Sequence, residues 1–227
     1  MLWFEELSST QDFLKDKSLP FGTLVVSNRQ TRGRGRYGRS WYSQDGGLYF
    51  SFLLEDMNNL RELPLVLGLS VCEFLENIGI VPSIKWVNDV YVKGKKICGI
   101  LVEKSRGRVI VGIGLNVNQD SFPSGIQATS MLLTTGKEYR CVDVLLALID
   151  HISKNLDIFK RQGFLALRDK IKDRLLFIGQ EVIIYNDPPV VGILTDLSEK
   201  GELVVITAEG SKKIISGDLT LRGFGLF

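Results

Sequence analysis

The sequence is poor in histidine and cysteine, and this scarcity excludes several kinds of site. Its 227 residues include one histidine, His151, which argues against a histidine-containing zinc site and against a Ser-His triad. The three cysteines are widely spaced and form no Cys-x-x-Cys, a pattern typical of free thiols in a reducing cytoplasm. No apolar run approaches the roughly 18 residues of a membrane span, and the N-terminus lacks the features of a signal peptide. These absences predict a cytoplasmic protein without a membrane anchor.

Neither sign of charge dominates the sequence. Lysine and arginine number 28 and aspartate and glutamate 26, which gives a net charge of +2. This balance excludes a protein that binds nucleic acid through its overall charge alone. With 44% hydrophobic and 24% charged residues, the composition is that of an ordinary globular chain with one large domain, or a medium domain plus a small one.

Residue periodicity predicts an α+β fold. Apolar residues at helical spacing, with capping residues, predict helices over 11–17, 63–78, 142–160 and 164–175. In the helix over 142–160, the predicted apolar stripe is formed by Val142, Leu145, Leu146, Ile149, Ile152, Leu156 and Phe159, which leaves His151 in solvent. Short apolar runs predict strands over 22–27, 47–54, 83–87, 90–92, 96–103 and 108–117.

The pattern changes after residue 178. Four strand-like runs follow, at 181–185, 190–195, 203–207 and 212–215, separated by turns rich in glycine, proline and charged residues. About fifty residues of short strands are typical of a small barrel. We therefore predict two domains, 1–178 and 179–227.

Residues 28–40, which we name the Arg/Gly loop, form the most distinctive segment. Its stretch 33–38 matches Gly-x-Gly-x-x-Gly, but a loop and a strand follow it rather than the helix that a dinucleotide-binding motif requires. The loop carries five arginines and no acidic residue: Arg29, Arg32, Arg34, Arg36 and Arg39. Glycine allows close backbone approach and guanidinium groups clamp phosphate or carboxylate, so the loop is predicted to bind an anion and to order only when the anion arrives.

Several motifs, taken together and in order, resemble those of biotin protein ligases. They are Ser8-Ser9-Thr10-Gln11, residues 30–41 of the Arg/Gly loop and its flank, Lys85-Trp86-Val87-Asn88-Asp89, residues 95–103, and Gly112-Ile113-Gly114-Leu115-Asn116. The tail over 216–222 also resembles the ending of that family. One departure is Val87, where the family usually has proline. The resemblance covers residues 3 to 222 and implies a catalytic domain like that of class II aminoacyl-tRNA synthetases, in which helices pack on a mixed sheet. A small SH3-like barrel would follow it.

The resemblance implies a biotin–[acetyl-CoA-carboxylase] ligase reaction in two steps. The biotin carboxylate attacks the α-phosphorus of ATP and gives biotinyl-5′-AMP and pyrophosphate, with Mg²⁺ at the triphosphate. A lysine of a biotin carboxyl carrier protein then displaces AMP. The first step brings two anions together, so positioning and charge neutralisation must dominate catalysis.

The resemblance also implies a role for each matching residue. The implied catalytic residues are Arg36, Lys96 and Asp89. The implied biotin-binding residues are Ser9, Thr10, Gln11, Gln30, Arg34, Gly35, Arg36, Lys96, Gly99, Gly112 and Gly114. The implied nucleotide-binding residues are Arg36, Arg39, Trp41, Lys85, Asn88 and Asn116, with Mg²⁺ near Asn116 and no permanent metal site. Two roles stay open: Asp89 serves either as a base or as a turn cap, and Lys85 is either on the nucleotide side or structural.

The serine-threonine motif begins at position 8, which leaves no room for the N-terminal winged helix of bifunctional family members. We therefore expect a ligase that does not bind DNA, and leave open whether it is a monomer or a homodimer. Two alternatives remain. A lipoate-protein ligase would share the acyl-adenylate chemistry, but the chain lacks that family's triple glycine and early histidine. An RNA-binding module could use the Arg/Gly loop with Trp41 and Tyr42, but it would leave Lys96 and Gln30 unexplained.

Overall fold

The computed structural model of the protein describes residues 1–15 and 19–221. Two predictions lie partly outside this range, because residue 17 closes the first predicted helix and residue 222 ends the tail motif. The larger of two sheets has the strand order β1-β2-β3-β7-β6-β5-β4. Its strands are β1 (Leu2–Leu7), β2 (Leu24–Gln30), β3 (Gly47–Glu55), β4 (Ser83–Lys85), β5 (Asp89–Val92), β6 (Lys95–Ser105) and β7 (Arg108–Asn116). The β1–β2 pair is parallel and the other pairs are antiparallel, so the sheet is mixed, as predicted.

Helices cover both faces of this sheet. The helices are α1 (Thr10–Lys15), α2 (Leu63–Asn77), α3 (Met131–Thr135), α4 (Cys141–Gln162) and α5 (Leu165–Lys172). On one face α2 and α4 bury a large core with the inward side chains of the central strands, Val26, Phe50 and Val111 among them. On the other face α1 closes a small core in which Leu14 packs on Val25, Leu53 and Ile110. Because α1 is short, most of this second face is left open for a site.

The second sheet is antiparallel and has the order β11-β10-β9-β8-β12. Its strands are β8 (Glu181–Tyr185), β9 (Val190–Leu197), β10 (Leu203–Thr207), β11 (Gly210–Ile214) and β12 (Asp218–Leu221). Buried and exposed residues alternate along β8 and β10, and the buried side chains Val182, Leu203 and Val205 join the large core. The short-strand pattern after residue 178 therefore predicted this sheet correctly, although β12 was not predicted as a strand.

Two details of the predicted helix over 142–160 are wrong. Leu146 is exposed, and Val144 and Leu148 are buried in its place, because the side of α4 that packs on α2 is rotated from the predicted stripe. His151 is not in solvent. Its side chain is 18% exposed, with Nε2 3.1 Å from Asn77 Nδ2 and Nδ1 3.9 Å from Glu73 Oε2. The strand over 2–7 was also not predicted, since Trp3 and Phe4 are followed by two acidic residues and no apolar alternation results.

Of the helices formed by the described residues, none is both long and apolar enough to cross a membrane.

Candidate active site

A cleft of about 570 Å³ lies on the open face of the larger sheet, between α1, the Arg/Gly loop and the strands β5 to β7. Every site residue predicted from the sequence lines it. From the first part of the chain come Ser9, Thr10, Gln11, Gln30, Arg34, Gly35, Arg36, Arg39 and Trp41. From the later part come Lys85, Asn88, Asp89, Lys96, Gly99, Gly112, Gly114 and Asn116. The fold thus brings residues more than a hundred positions apart to one surface.

A chain of buried hydrogen bonds forms one end of the cleft. The Thr10 backbone N–H donates to Gln30 Oε1 at 2.9 Å, and the Thr10 hydroxyl oxygen lies 3.2 Å from the same atom. The Thr10 hydroxyl lies 2.8 Å from Ser51 Oγ, which donates to Gln11 Oε1 at 3.2 Å. Gln11 Nε2 in turn donates to the Ile110 carbonyl at 3.2 Å. These groups fix one another's orientation, so they present a preset pattern of donors and acceptors to a ligand with polar edges.

Three glycines of the central strands make room for neighbouring site side chains. A Cβ on Gly99 would lie 2.8 Å from the Trp41 ring, and one on Gly114 would overlap the same ring. A Cβ on Gly112 would overlap the Gln11 amide. Side chains at these positions would displace Trp41 and Gln11, so the glycines allow both groups to lie against the strand backbone inside the cleft.

The arginines of the Arg/Gly loop reach different walls of the cleft. Arg34 donates to Asp12 and Glu103, and Arg39 pairs with Asp218. Arg36 Nη1 donates to Asn88 Oδ1 at 3.0 Å, and its Nη2 donates to the Tyr37 hydroxyl. Within residues 1–15 and 19–221, Arg36 has no carboxylate at ion-pair distance. Arg36 is therefore the loop arginine of the cleft whose charge an anionic ligand would neutralise.

The loop also has carboxylate partners that lie outside its own segment. Its own composition contains no acidic residue. Asp12, Glu103 and Asp218 come from distant segments and meet the loop only in the folded chain.

Lys96 lies deep in the cleft because of a β-bulge. The pairing of β5 with β6 shifts register between Val90 and Tyr91. Without this shift, residue 96 would project to the same side as Cys98, which is buried in the large core. Lys96 Nζ instead lies 2.8 Å from Asp89 Oδ2 and 5.0 Å from the centre of the Trp41 ring. An ammonium and an aromatic face thus share the centre of the site.

The turn between β4 and β5 carries the remaining predicted residues. Asn88 is bound to β6 twice: its Nδ2 donates to the Ile100 carbonyl at 3.0 Å, and its carbonyl accepts from the Ile100 N–H at 2.9 Å. Lys85 Nζ lies 5.3 Å from the centre of the Tyr91 ring. Burial lowers the pKa of the Lys85 ammonium, while the nearby charge of Asp89 opposes this shift. The peptide bond between Trp86 and Val87 is cis.

Several cleft residues were missed by sequence reasoning. They are Ser51, Tyr91, Phe122, Ile126, Gln127, Asp218 and Leu219. Ser51 gave a signal that could have been used, since it is a fully buried hydroxyl within the apolar run of β3. The loop over 120–129 has no periodicity. It reaches the cleft because the Lys96 backbone bonds to the backbone of Gln127 and Thr129.

Buried polar atoms without a hydrogen-bond partner concentrate at the cleft. Among the described side chains they are Arg34 Nε, Trp41 Nε1, Asp89 Oδ1 and Gln119 Oε1, and three of these four residues line the cleft. An unpaired buried polar group is costly, so such atoms point to a missing ligand or water. In the same described set, there is no group of three or more His, Cys, Asp or Glu side chains placed to hold a metal ion.

Two family models match the chain. Residues 3–120 match the Biotin/lipoate A/B protein ligase family, and residues 177–222 match the Biotin protein ligase C terminal domain. The first match spans the segments that form the cleft up to residue 120, and the second coincides with the antiparallel sheet.

Individual relatives agree with these matches. The chain is 34% identical over 239 residues to the bifunctional ligase/repressor BirA of Bacillus spizizenii, covering 97% of this chain and 74% of that protein. It is 27% identical to the biotin--[acetyl-CoA-carboxylase] ligase of Mycobacterium tuberculosis, covering 87% of this chain and 78% of that protein. A solved structure of the biotin protein ligase from Aquifex aeolicus in complex with biotin and ATP superposes with a TM-score of 0.93 at 48% identity, covering 97% of both chains.

Proposed function

Because the chain belongs to the biotin/lipoate A/B protein ligase family, we propose that it is a biotin protein ligase. It uses ATP to join biotin to a lysine of a biotin carboxyl carrier domain, through biotinyl-5′-AMP. One observation carries the proposal: a single cleft combines a buried chain of hydrogen-bonding groups at one end with Arg36, Lys96 and Trp41 at its centre. This combination suits a ligand with a polar ring, a carboxylate and a nucleotide.

We propose that biotin occupies the end of the cleft formed by α1 and the central strands. Ser9, Thr10, Gln11 and Gln30 supply donors and acceptors to the ureido ring, in the space bounded by Gly35, Gly99, Gly112 and Gly114. The hydrogen bonds among these side chains orient them before the ligand arrives, which lowers the entropic cost of binding. The carboxylate of biotin then extends towards Arg36 and Lys96.

Arg36 and Lys96 carry the chemistry of the first step in this proposal. The attacking carboxylate and the α-phosphate are both anions, so each is held and partly neutralised by a cation fixed in place. Asn88 orients the Arg36 guanidinium, and Asp89 orients the Lys96 ammonium. As the bond from the carboxylate oxygen to the α-phosphorus forms, the bond to the leaving pyrophosphate breaks.

The nucleotide lies beside Trp41 in this proposal. Trp41 provides an aromatic face for adenine, while Arg39, Lys85 and Asn88 surround the phosphates. Mg²⁺ would reduce the charge of the triphosphate, held mainly by phosphate oxygens and water. Asn116 Oδ1 fits as a single protein ligand, since from the described residues it accepts only a long bond of 3.4 Å, from Gln119 Nε2.

The second step requires an acceptor lysine that has lost its proton. Asp89 is placed to orient or accept that proton, because its buried Oδ1 has no hydrogen-bond partner within the part of the chain that is described. The lysine nitrogen attacks the acyl carbon, and AMP leaves. We place this activity in the cytoplasm, where the free thiols of Cys72, Cys98 and Cys141 would stay reduced. We also propose the boundary between 178 and 179 as the division between the catalytic domain and the C-terminal domain.

The experiment that tests the proposal is pyrophosphate release from ATP under single-turnover conditions, with biotin, with lipoate and with no acid added. We expect release that depends on biotin. Release with lipoate alone would favour a lipoate ligase, which the C-terminal match to biotin protein ligases speaks against. Salt-sensitive retention of RNA without any release would favour the RNA-binding alternative.

A further inference from the structure

The Arg/Gly loop is fastened to the body of the protein by four charged side chains, Asp12, Lys15, Arg34 and Glu103, which we name the charge cluster. Arg34 Nη2 lies 2.7 Å from Asp12 Oδ1 and 3.0 Å from Glu103 Oε2, and its Nη1 lies 3.3 Å from Glu103 Oε1. Lys15 Nζ donates to Glu103 Oε1 at 2.9 Å. Two cations thus meet two carboxylates from α1, β6 and the loop.

The charge cluster is partly shielded from water. The side chains of Arg34, Lys15 and Glu103 are 33%, 26% and 26% exposed. Burial alone would raise the pKa of Glu103, but hydrogen bonds from Lys15, Arg34 and Gln11 outweigh it and lower that pKa. The charges of Glu103 and Asp12 likewise raise the pKa of Arg34 against the opposing effect of burial. The lowered pKa of Glu103 and the raised pKa of Arg34 both show that the cluster stabilises the charged forms of the two side chains.

The geometry makes Arg34 unsuited to bind an anionic ligand through its terminal nitrogens. Both nitrogens are already bonded to carboxylates, and a third anion placed there would be repelled by Asp12 and Glu103. Arg36, two residues later, faces the cleft with neutral partners instead. Arg34 therefore holds the loop, whereas Arg36 is free to contact the ligand.

Fixing Arg34 also fixes the turn that carries Arg36. Gly35 N–H donates to the Arg39 carbonyl at 2.7 Å, and Trp41 N–H donates to the Gly33 carbonyl at 2.9 Å, so residues 33–41 form a narrow hairpin-like turn. The charge cluster holds this turn at its base, and Arg36 lies near its tip. Release of Arg34 would leave the tip held mainly by the contacts of Arg36 and Arg39 with the cleft walls.

We propose that Arg34 is a positioning residue for the proposed biotin adenylation: paired with Asp12 and Glu103, it holds the Arg/Gly loop over the cleft so that Arg36 meets the reacting anions. The inference rests on the proposed function for the reaction it serves, but the holding of the loop can be measured without any ligand. The apparent affinity for biotin depends on the fraction of molecules whose loop is in place.

The first test is amide hydrogen exchange of the ligand-free protein with Glu103→Gln and Arg34→Gln variants. The matched control is Lys104→Gln, since Lys104 neighbours Glu103 on β6 but pairs with Asp56. We expect exchange at the amides of Gly35, Arg39 and Trp41 to rise about tenfold in both cluster variants, and to stay unchanged in the control. Glu103→Asp, which keeps the charge, should recover part of the protection. Unchanged exchange in both cluster variants would overturn the proposal.

The second test is a biotin titration of single-turnover pyrophosphate release. We expect the half-saturating biotin concentration to rise about tenfold in Glu103→Gln, while the maximal rate stays within about threefold, because saturating biotin restores the held loop. The variant with both Arg34→Gln and Glu103→Gln should need no more biotin for half-saturation than Arg34→Gln alone, since the two residues act as one unit. A loss in Arg34→Gln that a variant with both Asp12→Asn and Glu103→Gln does not share would show direct ligand contact and overturn the proposal, because that variant removes both carboxylates from Arg34. If the unaltered protein releases no pyrophosphate with biotin, the proposed function fails, and the exchange experiment still decides the role of the charge cluster.

Discussion

The three cleft-lining arginines of the Arg/Gly loop differ in how many carboxylates they meet. Arg34 meets two, Arg39 meets one, and Arg36 has none at ion-pair distance in the described residues. The uncompensated charge of Arg36 is what an attacking carboxylate and a phosphate would share. This difference gives a structural reason for the catalytic role that the resemblance implies for Arg36.

Arg36→Ala should therefore slow adenylation far more than it weakens folding. A charge-assisted hydrogen bond is worth about 1.5–3 kcal/mol, so the single-turnover rate should fall about ten- to a hundredfold. The free energy of unfolding should change by less than about 1 kcal/mol, because Arg36 packs in no core. Arg32→Ala is the matched control, since Arg32 is exposed in the same loop and does not line the cleft. Equal losses of rate in the two variants would contradict this account.

Substitution of Lys96 should lower stability more than substitution of Arg36, because it leaves the Asp89 carboxylate without its cation. Lys96→Met leaves the Asp89 carboxylate without its cation, and Asp89 Oδ1 already has no hydrogen-bond partner among the described residues. We expect a loss of about 1–3 kcal/mol in the free energy of unfolding. Adding Asp89→Asn should restore much of that stability without restoring adenylation. Thermal melts alongside single-turnover rates decide the matter, and recovery of activity together with stability would show that Lys96 is structural.

The strands and helices were predicted best where periodicity is strong and a segment is long. The strands β3, β6 and β7 and the helices α2 and α4 were found close to their bounds, because apolar alternation or helical spacing runs through each. The edge strand β1 was not found, since it buries no residue and alternates weakly. The edge strand β12 of the second sheet is four residues long, which is too short for a clear pattern.

The site was predictable to the extent that its residues form motifs along the chain. Trp41 above Gly99 and Gly114 was not predictable, because that contact depends on how the loop folds over β6 and β7. The register shift in β5 and β6 that turns Lys96 into the cleft also has no local sequence signal. The ion pair between Arg39 and Asp218 was not predictable either, because its two residues are far apart in the sequence and meet only in the folded chain.

The joining of α1, β6 and the Arg/Gly loop through Glu103 should make stability depend on pH. The pKa of Glu103 is lowered in the folded protein, so its contribution is present above the unfolded pKa of about 4.3 and is lost as the pH falls through the folded value. Glu103→Gln should therefore be less stable than the unaltered protein at neutral pH, and the two should converge as the pH falls below about 4. Urea unfolding across pH 3 to 7 measures this, and a constant difference at every pH would contradict it.

The two sheets share one hydrophobic core. Val182, Leu203 and Leu219 of the second sheet belong to the same buried cluster as the residues of α2 and α4. The Trp86 indole N–H, in the turn that carries Asn88, donates to the Gly201 carbonyl at 2.9 Å. Asp218 and Leu219 line the cleft itself. The second sheet is thus part of the scaffold that shapes the site.

A shared core predicts one cooperative thermal transition for the whole chain, because neither part can unfold without exposing the apolar surface of the other. Differential scanning calorimetry should show a single peak whose calorimetric and van't Hoff enthalpies agree. Two separate peaks would contradict the shared core. Trp86→Phe, which removes the bond to Gly201 and leaves its carbonyl unpaired, should lower the melting temperature of that single peak without splitting it.

The central claim is that this cleft activates biotin with ATP and passes it to a protein lysine. Mass spectrometry of a biotin carboxyl carrier domain, incubated with the protein, biotin, ATP and Mg²⁺, tests it most directly, with the Arg36→Ala variant as a control. The account predicts a mass gain of one biotinyl group on a single lysine, which requires ATP and is slowed by the substitution. A carrier domain that gains no mass from biotin, or gains it from lipoate instead, would contradict the account.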